Sequence, residues 1–250
     1  MESGERAASK TAGGGHPTMH STRPNRAAKR SMAGAPGAGP TKRPAVRVRD
    51  PVATKQRILD AAKAEFARLG LSGARVDAIA ARAKANKRMI YHYFGGKQDL
   101  FLAVLEAAYG DIRAAERKLD LEHLEPEEAL RTLTVFTWKY YLKHPEFLTL
   151  VNSENLHKAR HLKRSKVVGE MFTTLVGMVE NILDRGVKKS VFRKGIDPVQ
   201  LNITIAAIGY YYLTNRFTGS IIYDRDLMAP KALEQRLAFN VDTILRLVQA

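Results

Sequence analysis

From about residue 54 onward, apolar residues recur along this chain every three or four positions, and no segment sustains the strict alternation of a half-buried strand. The pattern predicts an all-α protein. Asp50-Pro51 is a helix start, since Asp caps free N–H groups and Pro suits the first turn, with Thr54 as a slightly later alternative. Ile58, Ala62, Phe66 and Leu69 then share one face, and Gly70 is read as the stop. Short helices follow at about 76–83 and 87–94, and a longer one at 97–118 opens after Gly95-Gly96. Further helices are predicted near 126–143, 146–157, 161–186, 198–218 and 230–248, with breaks at His144-Pro145 and from Gly195 to Pro198. Leu201, Ile205, Ile208 and Tyr212 form one late stripe; Leu233, Leu237, Val241, Ile244 and Val248 form another.

Residues 1–49 interrupt this picture. They are rich in Gly, Ala, Pro, Ser and basic residues and poor in large apolar ones, which predicts a disordered basic extension, either a solubilising tail or an arm tracking DNA phosphates. Their Arg-rich, acid-poor composition overlaps with that of transit peptides, but Gly13 to Gly15 and several prolines interrupt any amphipathic helix. The formal net charge of +16 implies an anionic partner. It is unevenly spread, at +7 over residues 1–50, +6 over 51–118 and +3 over 119–250, which places the attraction in the first half. With no cysteine, disulfides, thiol nucleophiles and Cys-ligated zinc are excluded. No apolar run approaches the roughly 18 residues of a membrane span, and no secretory signal is seen, so a cytoplasmic protein without membrane contact is expected.

The most informative segment is RVDAIAARAKANKRMIYHYF, residues 75–94. Val76, Ile79, Ala80 and Ala83 form an inward face on a first short helix. Ile90 and Phe94 anchor a second, leaving Lys87, Arg88, Tyr91, His92 and Tyr93 turned mostly outward. Such a helix can enter a major groove, where Lys and Arg donate to guanine or phosphate and Tyr hydroxyls reach phosphate oxygens. Asn86 is placed to cap it, and Lys97 at the next helix start to clamp a further phosphate.

Residues 54–106 resemble the DNA-binding domain of the TetR family of bacterial repressors. The resemblance rests on Ile58 to Ala62, on the helix end from Phe66 to Gly70, and on Ile90-Tyr91-His92-Tyr93-Phe94 followed by Lys97 and Leu100. Beyond the extension at 1–49, it implies a three-helix helix-turn-helix DNA-binding domain at 50–96 and a helical effector-binding and dimerisation domain at 97–250, helix 97–118 joining the two. It also implies that Lys87, Arg88, Tyr91, His92 and Tyr93 face DNA, with Lys97 on the backbone. Three positions depart from the pattern. Arg75 stands where Ser or Thr often caps the first motif helix, though an Arg there can grip phosphate. Lys84 replaces the usual turn Gly, and Met89 a common Thr or Ser. These departures touch base preference more than fold.

In the family, the later helices form a pocket and the last two pack as a four-helix bundle with a second subunit, so the helices near 198–218 and 230–248 and their two stripes are candidates for a homodimer interface. Phe136, Trp138, Tyr141, Phe172, Met178, Tyr211 and Asn215 are candidate pocket residues, since aromatics and Met line apolar sites and a few polar groups orient ligands. Core packing accounts for the same residues. Residues 144–165 are similar to a TetR subgroup of regulators of heteroaromatic catabolism, implying a small aromatic effector. His157 and His161, at i and i+4 with Glu154 nearby, have the spacing of metal ligands, but a surface or interhelical role is the expectation and no metal or cofactor is assigned.

The expected function is a dimeric repressor that binds a palindromic double-stranded operator and is released by a small molecule, although activation or corepression remains open. A non-specific nucleic-acid-binding protein explains the charge but leaves the apolar C-terminal half unused. An all-helical enzyme lacks any recognisable catalytic set: there is no phosphate-binding Gly-Lys-Ser/Thr loop, Gly-x-Ser-x-Gly elbow or dinucleotide fingerprint.

Overall fold

A computed structural model describes residues 50–250, and the reading of residues 1–49 lies outside them. The described chain is ten α-helices with two short 3₁₀ turns and one isolated β-bridge, Phe192 to Gln249. Helix α1 spans Pro51–Gly73, α2 Val76–Arg82, α3 Lys87–Phe94 and α4 Lys97–Glu116. Helices α5 (Pro126–Lys143), α6 (Pro145–Leu156) and α7 (Val167–Lys188) follow, then α8 (Pro198–Thr214), α9 (Arg216–Ile222) and α10 (Pro230–Val248).

Helix starts follow their local chemistry. Asp50 accepts from the Val52 and Ala53 amides at 2.9 and 3.2 Å, and Asp197 caps α8 in the same way. Proline occupies the first turn of α1, α5, α6, α8 and α10, where its missing N–H costs nothing.

Three expectations about interruptions change. Gly70 adopts φ 65° and breaks α1, but the helix resumes for one more turn instead of stopping. The break rotates Leu71 into the core, with its amide donating to Ser153 Oγ at 3.2 Å, and leaves Leu69 exposed rather than on the buried face. The single helix expected over 198–218 is two. Asn215 Nδ2 donates to the Tyr211 carbonyl at 2.9 Å beside its own backbone N–H, a side-chain competition that ends α8 and lets α9 start in a new direction. The helix expected from 161 begins at Val167. Lys158 and Ala159 have left-handed φ of 57° and 55°, and the Glu154 carboxylate takes the amides of His161 and Leu162, which bends the chain away.

Two apolar clusters hold the helices. The first runs from Ile58, Phe66 and Ile79 through Ile90, Leu100, Phe101 and Leu105 to Trp138, Phe147 and Leu150, so it joins α1–α4 to α5 and α6 without a gap. The second centres on Leu130, Leu133, Val179, Ile182, Leu201 and Ile244. Both late stripes point into these clusters: Leu201, Ile205, Val241, Ile244 and Val248 are buried, and Ile208, Tyr212, Leu233 and Leu237 pack against buried neighbours. They are the chain's own core, not a free interface. A different face of the same helices is apolar and open, formed by Val199, Ile203 and Tyr211 of α8, Phe217, Ile221 and Ile222 of α9, and Phe239 and Leu247 of α10.

Candidate nucleic-acid interface and effector cavity

Helices α2 and α3 form a helix-turn-helix. Ile79, Ala80, Ala83 and Ile90 are buried beneath it, while Val76, Tyr93 and Phe94 pack at its edge. The turn works although Lys84 replaces glycine. Lys84 is left-handed at φ 49°, and the Ala85 amide bonds the Ala80 carbonyl at 3.0 Å, closing the α2 end. Arg57 of α1 donates to the Ala83 carbonyl at 3.3 Å and to Thr54, tying the turn to the first helix. A lysine in this conformation costs on the order of 1 kcal/mol relative to glycine. Lys84→Gly is therefore expected to raise the melting temperature by about 1–3 °C in a thermal melt; a fall would mean the lysine side chain contributes more than its backbone costs.

On α3, Lys87, Arg88, Tyr91 and His92 are all exposed. Since 87 and 91, and 88 and 92, are four apart, they form one patch opposite Ile90 and Phe94. Asn86 caps the helix, its Oδ1 accepting from the Arg88 amide at 2.9 Å. Lys87 Nζ lies 2.8 Å from an Asp77 carboxylate oxygen, which raises its proton affinity and presets its position. Arg75 is exposed before α2 and makes no side-chain cap. Tyr93 is less outward than its spacing implied, half-buried and edge-on to Phe94 and His92. Lys97 Nζ donates to the Ser72 carbonyl at 3.2 Å, securing the last turn of α1.

The candidate pocket residues separate. Tyr141 and Phe172 line a cavity of about 540 Å³ walled by α4–α8. Tyr211 and Asn215 line a second depression, about 490 Å³, between α8, α9 and α10 on the open apolar face. Phe136 borders a groove along α5; Trp138 is buried against Tyr212 and Gly209; Met178 packs on the second cluster.

The central cavity holds residues that the sequence reading missed, chiefly Tyr109, Arg113, Glu116, Phe147, Asn155 and Tyr210. Phe101, Leu105, Ala108 and Ile112 form the buried stripe of α4, and Glu116 continues it at the same spacing. A carboxylate where the stripe calls for Leu was the available signal. Arg113 Nη2 donates to Glu116 Oε1 at 2.8 Å, with the Phe172 ring over the guanidinium at 5.4 Å. Burial pushes the Glu116 carboxyl up to about 7, against the opposing pull of Arg113 and Arg117. Burial also raises the Tyr141 hydroxyl pKa, so it stays protonated and can donate.

The His157–His161 pair is engaged in local hydrogen bonds. Glu154 is fully engaged, one oxygen accepting from the His161 and Leu162 amides and the other meeting His161 Nδ1 at 2.7 Å, while His157 Nδ1 bonds the Ser153 carbonyl. Among the described residues, no group of three potential ligands converges. Nor is any described helix long and apolar enough to cross a membrane.

The described residues, an all-helical fold with a basic, aromatic helix-turn-helix and a cavity among the later helices, have the architecture of a DNA-binding regulator. Residues 58–104 match the family described as bacterial regulatory proteins, tetR family, and residues 126–244 match the tetracyclin repressor-like C-terminal domain. The chain is 39% identical over 206 residues to the HTH-type transcriptional repressor NicS of Pseudomonas putida, covering 82% of this chain and 97% of that one. It is also 39% identical over 142 residues to the repressor SCO4008 of Streptomyces coelicolor, covering 56% and 69% of the two chains. The fold is shared with the fatty acid degradation regulator FadR of Bacillus halodurans at a TM-score of 0.60 and 20% identity, covering 77% and 94%. This chain belongs to the TetR family and is a DNA-binding transcriptional regulator, not an enzyme.

Proposed function

We propose that the protein is a dimeric repressor whose α3 patch reads a palindromic operator and whose central cavity binds a small aromatic effector that releases it. The observation that carries this reading is the placement of α6. Phe147, Val151 and Asn155 line the cavity, while Glu146 pairs with Lys63 at 3.1 Å and Ser153 accepts from Leu71. One helix thus touches both the ligand space and α1, which carries the reading head. An effector that binds better when α6 has shifted changes the population of operator-competent dimers, with coupling of typically about 1–3 kcal/mol. The aromatic class follows from the rings around the cavity and from the sequence similarity of residues 144–165. The named repressors among the relatives favour repression over activation. Arg75, Asn86, Lys87, Arg88, Tyr91, His92 and Tyr93 form the proposed contact set, with Lys97 on the backbone once it exchanges the Ser72 carbonyl for phosphate.

The open apolar face of α8, α9 and α10 is the proposed dimer surface, because Phe217, Ile221 and Ile222 project from it uncovered by the other described residues. Two recognition helices related by a two-fold axis would meet half-sites about 34 Å apart or a small multiple of that distance. Genomic footprinting of the wild type is expected to recover inverted repeats, and a metabolite screen an aromatic compound that releases them. Phe217→Glu/Ile221→Glu is expected to be monomeric at about 10 µM by ultracentrifugation and to lose footprints. A dimer that survives this substitution would place the interface elsewhere.

A further inference from the structure

Among the described residues, Arg113 is the one cation lining the central cavity, its side chain nine-tenths buried at 9% exposure. Its Nη2 is engaged by Glu116, but Nε and Nη1 are shielded from solvent and have no hydrogen-bond partner. A desolvated guanidinium with two idle donors is costly unless an acceptor arrives. We propose that the cavity takes a one-ring aromatic monocarboxylate, its carboxylate accepting from an unpartnered Arg113 N–H and its ring lying among Tyr109, Tyr141, Phe147 and Phe172.

The cavity's aromatic wall suits a flat ring. Tyr109 meets Phe147 and Phe172 edge-on at 5.4 and 5.5 Å, and Tyr141 stacks parallel to Phe147 at 6.0 Å. The charge balance selects an anion. With burial raising Glu116 to about 7, its carboxylate only partly compensates the guanidinium near neutral pH, whereas a cationic ligand would meet Arg113 head-on. A phosphate needs several donors and cations, and this mostly apolar cavity has one Arg.

This inference rests on the cavity's being the effector site, and the experiment separates the two. Calorimetry on the full chain would use benzoate, 4-hydroxybenzoate and the three pyridine monocarboxylates, each beside its carboxamide, with inorganic phosphate as the non-aromatic anion. At least one acid is expected to bind on the order of 100-fold more tightly than its amide, as for a charged hydrogen bond in a desolvated site. Arg113→Gln is expected to bring the two within about threefold, with operator binding retained, and Arg113→Lys to restore part of the preference. Glu116→Gln, which removes the competing charge, is expected to tighten acid binding at pH 8, so the inference is tested even where Arg113→Gln folds poorly.

Equal binding of acid and amide, a preference that survives Arg113→Gln, tighter binding of phosphate, or no acid bound at about 10 mM would each overturn the carboxylate. Amides that bind and release the operator without acid preference would leave the effector site standing. Arg113-dependent acid binding that leaves operator affinity unchanged would instead retain the carboxylate site and remove its regulatory role.

Discussion

Arg88→Ala/Tyr91→Phe is expected to weaken operator binding by at least about 100-fold while moving the melting temperature by no more than about 2 °C. Both side chains are exposed on α3 and make no hydrogen bond or ion pair among the described residues, while the Asn86 cap uses only the Arg88 backbone amide. A side chain donating to a guanine edge contributes about 1–3 kcal/mol of discrimination, and a lost hydroxyl hydrogen bond about 1 kcal/mol. In a symmetric dimer each loss occurs twice, which is why the combined effect exceeds that of a single contact. Salt dependence then separates the roles. If Arg88 reads a base, the single Arg88→Ala variant keeps the wild-type salt slope and loses preference at one operator position; if it grips a phosphate, the slope falls by about one charge per half-site and preference is kept. A loss smaller than about fivefold for the double variant would move DNA reading off this face of α3.

The reading head was legible because its signals are local. Asn86, Ile90 and Phe94 are related by helical spacing alone, and Lys84, in the place of the usual turn Gly, is left-handed. The same holds for starts marked by Asp50-Pro51 and Asp197-Pro198. Where a helix ends depends on partners distant in sequence. Gly70 looked like a stop, yet Ser153, 82 residues after Leu71, gives the resumed turn a hydrogen-bond acceptor. The late stripes showed which residues are apolar but not whether their cover comes from the same chain, and Leu201 and Ile244 proved to be internal.

The cavity was less legible still. Residue type alone sets Trp138 and Met178 beside Tyr141, although packing places them in different surroundings. Sequence alone does not single out Arg113 and Glu116, because charge ordinarily marks a solvated helix face. Only the closure of α5–α8 around the end of α4 removes them from water, and that closure is a property of the assembled fold.

A second large effect is expected at Glu154, whose carboxylate organises the connection between α6 and α7. Glu154 and His161 are both almost completely buried, at 2% and 1% exposure. The carboxylate receives the His161 and Leu162 amides at 2.8 and 2.9 Å and contacts the His161 ring, which lies edge-on to Phe101 of α4 at 5.3 Å. Beyond this turn, Arg164 pairs with Asp99 and Ser165 donates to Glu106, so the segment straps α6 to α4 just after the reading head. Alanine at 154 strands these polar groups at once. Each buried donor left without an acceptor costs about 1–3 kcal/mol, and partial opening to water recovers some of it, so Glu154→Ala is expected to cost about 3–5 kcal/mol. For a domain of this size that is a fall of roughly 6–15 °C in melting temperature. Glu154→Gln keeps an acceptor oxygen and is expected to lose less than half as much. Hydrogen exchange should accelerate first over residues 157–166, while α3 stays protected until global unfolding. A change of less than about 1 kcal/mol in Glu154→Ala would mean that the strap is held from its α4 end, by Asp99 and Glu106, and that the buried carboxylate is dispensable.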